Sequence, residues 1–105
     1  MNEITKNDCK LFQQKLPIWQ ENYMEKLTKK YIKLLQKDCD ASERFWALDE
    51  QMNKDKRSPG VRLTYEKSDT VFNIVKMIRQ KVIGLDDIAE FSDGLKESVQ
   101  YMLNI

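Results

Sequence analysis

Histidine is absent from this 105-residue chain, and with it go the commonest general base and the commonest metal ligand. Glycine is scarce, and the three residues stand apart, so no glycine-rich phosphate loop is present. The two cysteines, Cys9 and Cys39, lack Cys-x-x-Cys spacing, which leaves a thioredoxin-like or zinc role without support. On one straight helix they would lie about 45 Å apart at the α-helical rise, beyond disulfide reach. Reduced thiols in a cytosolic protein are expected. Long apolar runs are missing as well: the longest is Phe45 to Leu48, far short of a membrane span. The N-terminus, MNEITKNDCK, has no apolar core of a secretory signal. These absences point to a chain that performs no catalysis and holds no cofactor or metal.

What is present is helix-forming. The chain is 41% hydrophobic and 33% charged with two prolines, a balance that suits a single helical domain over residues 1–105. The net charge of +1 gives the whole molecule little attraction for polyanions. Its distribution is uneven, with a net +5 over residues 1–84 and −4 over residues 85–105. A basic body and an acidic end make the chain self-complementary, or suited to an acidic partner.

Thr5 and Asp8 form a helix start of the capping-box type, followed by Leu11, Phe12 and Leu16. Pro17 removes a backbone donor and crowds the preceding turn, which predicts a kink or a fresh start. From Ile18, the spacing of Trp19, Tyr23, Leu27, Tyr31 and Leu34 predicts a strong helix. Lys26, Lys30, Lys33 and Lys37 form a stripe beside it. Asp40 and Glu43 open a second helix whose inner face would be Ala41, Phe45, Leu48 and Met52. The short connection predicts an antiparallel hairpin of residues 18–37 and 41–56. A third helix, with Ser68 as its cap, would bury Val71, Ile74, Val75, Ile78 and Val82. Gly84 suits the left-handed closing position. Leu85, Ile88, Phe91, Leu95, Val99 and Met102 then continue at helical spacing, split by Ser92 and Gly94 into two short helices. The acidic residues Asp86, Asp87, Glu90 and Asp93 read as a solvated first turn favoured by the helix dipole.

The stretch KDKRSPGVRLTYEKSD, residues 54–69, breaks the pattern. Ser58-Pro59-Gly60 ends the second helix, and Val61, Leu63 and Tyr65 alternate as in a strand. Three outcomes stand open: an extended connector tucked against the helices, pairing within the chain, or pairing with a second copy. In the last case the order strand, helix, Gly turn, helix over residues 60–103 resembles ribbon-helix-helix DNA-binding proteins. That resemblance implies a homodimer using residues 61–67, with Arg62, Thr64 and Glu66 facing the major groove. Lys54, Lys56 and Arg57 would then contact phosphate. The phrases ASERFWALDEQ, SPGV and IGLDDIAEFSDGLKESV resemble small uncharacterised helical proteins of low-GC Gram-positive bacteria, which implies a cytoplasmic bacterial setting and no activity.

The expectation is therefore all-α: a compact helical domain with an N-terminal antiparallel hairpin, a Pro-Gly connector and C-terminal helices packed over the hairpin. Its expected role is a non-enzymatic protein-interaction or regulatory module, self-association being the simplest case, with the ribbon-helix-helix reading as the alternative. Trp46 points about 100° away from Phe45, off the apolar stripe of its helix, and, with Lys26, Lys30 and Lys33, is a candidate partner-binding residue. Lys54, Lys56, Arg57, Arg62 and Thr64 are the nucleic-acid candidates.

Overall fold

A computed structural model describes residues 4–65 and 69–105. Among the described residues five α-helices follow one another: α1 (Lys6–Leu35), α2 (Ala41–Asp55), α3 (Pro59–Arg62), α4 (Thr70–Arg79) and α5 (Asp93–Leu103). A 3-10 turn, Leu85–Ile88, stands between α4 and α5. The class is all-α, with no strand among the described residues, but the shape is elongated. The principal extents are 54 × 27 × 21 Å and the radius of gyration is 16.6 Å, against about 13 Å for a compact chain of this length.

The elongation begins with Pro17. Instead of starting a new helix there, α1 runs unbroken for 30 residues with Pro17 inside it. The missing N–H leaves only the Gln13 carbonyl without its helical donor, and both residues are exposed, so water can serve it. Leu16 and Trp19 on either side are buried, and their packing offsets a penalty of about 3 kcal/mol. The continuous face Phe12, Leu16, Trp19, Tyr23, Leu27 results.

The core forms on the first half of α1, away from the expected hairpin. Phe12, Leu16 and Trp19 meet Ile74, Val75 and Met77 of α4, then Val82, Ile83, Ile88 and Phe91, then Leu95 and Val99 of α5. Phe12 packs its ring against both Trp19 and Tyr65, at centroid distances of 6.1 and 6.0 Å. The C-terminal helices thus cover the N-terminal half of α1. Of the third helix's expected stripe, Ile74, Val75 and Val82 are buried, while Val71 and Ile78 are half-buried at its edge. Met77 and Asn73 take the inward positions instead.

A carboxylate ties the two ends of the chain together. Asp8 completes the capping box with Thr5, the backbone N–H of each residue donating to the other's side chain at 2.9–3.0 Å. Ser92 then donates its N–H to Asp8 Oδ1 at 2.8 Å and its hydroxyl to Oδ2 at 2.5 Å. Ser92 Oγ in turn accepts from Leu95 N, capping α5. Burial pushes the Asp8 carboxyl up, but the hydrogen bonds from Ser92 and Thr5 outweigh it and hold the group below its ordinary value.

The left-handed residue that closes α4 is Lys81, at φ 61°, whereas Gly84 is extended at φ −116°. Lys81 N donates to Ile78 O and Val82 N donates to Met77 O, the paired bonds of a Schellman ending. Val82 and Met77 are both buried, so apolar contact across the turn fixes the stop where glycine was expected to. Ser68, expected as the cap of this helix, lies outside the described residues, and Asp69 holds the N-cap position. The split of the last segment is as expected: Ser92 caps α5 after the 3-10 turn. No helix among the described residues is long and apolar enough to cross a membrane.

Candidate functional site

The second helix keeps its apolar stripe but not the burial expected for it. None of its residues is buried: Ala41 is exposed, Leu48 half-buried and Met52 exposed. The cause is register. Asp55 accepts a hydrogen bond from the Tyr31 hydroxyl, and Gln51 and Asp55 face Leu34 and Tyr31 across a small cavity. Further along, the Gln20 amide donates to Pro59 O at 3.1 Å and to Leu63 O at 2.7 Å. Partners therefore run backward along α1, from Leu34 to Gln20, as the chain advances from Gln51 to Leu63. With Gln51 already opposite Leu34 and α1 ending at Leu35, the first half of α2 has little of α1 left to face. Asp40 occupies the N-cap position, but its side chain makes no capping bond.

On that overhanging half sit Phe45 and Trp46, 63% and 64% exposed. Their rings meet edge to face at a centroid distance of 5.1 Å and 84° between planes, a favourable aromatic geometry. Ile32 and Leu35, at the end of α1, are exposed as well. The candidate residue Trp46 therefore lies within an uncovered apolar end of the molecule. Lys26, Lys30 and Lys33 lie on exposed positions of α1, Lys30 at the edge of the cavity beside Tyr31. Burial and the bond to Asp55 push the Tyr31 hydroxyl well above the ordinary tyrosine range, so it stays protonated and holds the two helices together.

The strand that the ribbon-helix-helix alternative needs at residues 61–67 is not formed over its described part. Val61 and Arg62 belong to α3, residues 63–65 form neither helix nor strand, with Leu63 extended, and residues 66 and 67 lie outside the described residues. Pro59 starts α3, where a fixed φ and a missing N–H suit the first helical position, and Ser58 caps it through Gly60 N at 3.1 Å. Gly60 lies flat on the Tyr23 ring: a Cβ there would meet Tyr23 Cδ2 at 2.3 Å.

This short helix gathers residues that the strand reading grouped for another reason. Arg57, Arg62 and Thr64 line one open cleft of about 370 Å³ with Ser58, Asp69, Asn73 and Lys76. Lys54 is instead 3.9 Å from Glu50 on exposed α2, and Lys56 faces Met24, Leu27 and Val61 in a separate, mostly apolar hollow. Lys76 and Asn73 were missed because they lie on α4, and no spacing in the sequence links them to residues 57–64.

Three of the acidic residues near the C-terminus have partners within the chain. Asp87 accepts from Gly84 N at 2.7 Å, Glu90 pairs with Lys15 at 3.0 Å, and Asp93 pairs with Lys96 at 3.5 Å. Cys9 and Cys39 are free and stand toward opposite ends of α1. No family model, curated protein or solved structure matches the chain.

Proposed function

We propose that this chain is a non-enzymatic protein-interaction or regulatory module that docks through the overhanging end of α2, with a second copy of itself as the partner. The observation that carries the reading is the Phe45–Trp46 pair, held edge to face and open to solvent. A desolvated aromatic pair is the kind of group that dominates interface energies. The choice of a second copy rests on charge: the basic body and the −4 segment 85–105 of one molecule complement those of another in a two-fold arrangement. The free cysteines and the resemblance to small bacterial helical proteins support a cytoplasmic setting.

Sedimentation velocity over a concentration series, at low and high salt, tests this. The expected result is a dimer that weakens as salt rises and is lost in a Phe45→Ser, Trp46→Ser double variant whose helical circular dichroism is unchanged. A wild-type chain that stays monomeric at the highest concentration, or a double variant that dimerises as well as the wild type, overturns the proposal.

A further inference from the structure

Among the described residues the cleft between α3 and the first turns of α4 is lined by more cations than anions. Among the described residues Arg57, Arg62 and Lys76 line it against one carboxylate, Asp69. Among the described residues no ion pair joins any of the three to Asp69. Arg57 spends only its Nε, in a 3.4 Å bond to Asn53 O, and Lys76 Nζ lies 5.8 Å from the centroid of the exposed Phe72 ring. Arg62 makes no side-chain hydrogen bond among the described residues. The second observation is Asn73. It is only 6% exposed, lines this cleft, and makes no side-chain hydrogen bond among the described residues. No wholly buried side-chain nitrogen or oxygen there lacks a partner, so the Asn73 amide must open into the cleft. A nearly buried amide seldom goes without a partner. Here it offers N–H donors to whatever the three cations attract.

From this arrangement we infer that the cleft is a binding site for a phosphate monoester carried on a small hydroxylated molecule, of the sugar-phosphate or mononucleotide kind. Two guanidinium groups present planar forks that match phosphate oxygens in pairs. Lys76 adds a point charge, and the Asn73 amide with the Ser58 and Thr64 hydroxyls adds neutral donors. Asp69 repels an anion at its own end of the cleft and accepts a hydroxyl there, which orients a ligand bearing both groups. The volume falls in the range of small-molecule sites. A nucleic-acid backbone fits less well: Lys54 and Lys56 do not extend the cleft, so among the described residues no basic track leads away from it for further phosphates.

Titration calorimetry on the full chain, with AMP, adenosine, inorganic phosphate and a mixed-sequence DNA duplex as probes, tests the site. AMP should bind, and adenosine should bind at least about tenfold more weakly, as the loss of charged hydrogen bonds requires. The exposed double variant Arg57→Gln, Arg62→Gln should weaken AMP by about tenfold or more, with its circular dichroism unchanged. Asp69→Ala should tighten inorganic phosphate more than AMP, because it removes repulsion but also the hydroxyl acceptor. Failure of AMP to bind at millimolar concentration, equal binding of adenosine, indifference to the double variant, or binding of the duplex alone each overturns the assignment.

Discussion

The first half of α1 and the whole of α2 carry apolar residues at the same helical spacing, yet they have opposite fates. Phe12 and its neighbours are sealed by α4 and α5, while Phe45, on a stripe just as regular, faces solvent. Amphipathicity specifies a face that gains by being covered; it does not supply the cover. The N-terminal half of α1 finds two helices and a 3-10 turn to pack against. By contrast, α2 finds only the last turns of α1, and the register set by Tyr31 and Asp55 uses those on its C-terminal end. The difference is one of neighbours, and it leaves one end of the molecule stable and the other exposed.

The contrast is open to direct tests. Phe12→Ala should lower stability by about 3–5 kcal/mol in urea denaturation, the usual range for a large buried aromatic ring. A much smaller loss would mean the core can collapse around the gap.

Asp8→Asn should follow at about 2–3 kcal/mol, since it replaces a charged acceptor of several bonds with an amide. Its pH dependence gives a sharper reading. The folded-state value of Asp8 is depressed, so its contribution is full above the unfolded carboxylate value of about 3.9 and is lost as pH falls below it. The gap between wild type and variant should accordingly narrow in acid. A gap constant from pH 7 down through this window would remove the ionised bridge from the account.

Gly60→Ala probes the junction between the two regions. Its Cβ would strike the Tyr23 ring near Cγ and Cδ2, atoms that cannot swing aside without moving the side chain. A loss of about 1–3 kcal/mol is expected, as for overpacked sites. Wild-type stability in this variant would show that α3 does not rest on α1.

Lys81→Gly should act in the other direction, raising the thermal midpoint by relieving about 1 kcal/mol of left-handed strain. The smallest effect belongs to Phe45→Ala, which should stay within about 0.5 kcal/mol for the monomer, as exposed substitutions do. Amide exchange should sharpen the same point, with α2 exchanging through small openings and α4 protected close to the global limit.

The sequence carried the local choices. The Thr5–Asp8 box, the cap at Ser92, the stripe from Trp19 to Leu34 and the stop at Ser58-Pro59 depend on residues within a few positions of one another, and each is read from its spacing. Arg57, Arg62 and Thr64 were legible as a group of candidates, although Arg62 ends a helical turn and Thr64 follows it. Tertiary structure decided what no short window contains. Pro17 stays inside a helix because residues on both sides of it are buried. Lys81 takes a glycine's conformation because Val82 and Met77 close over the turn. Asp8 gains Ser92, Arg62 gains Asn73 and Lys76, and Phe45 gains nothing, since each outcome depends on which distant segment arrives beside it. Local hydrogen bonding and helical periodicity are encoded by neighbours in the chain; burial is a property of the assembled helices, and only their packing distributes it.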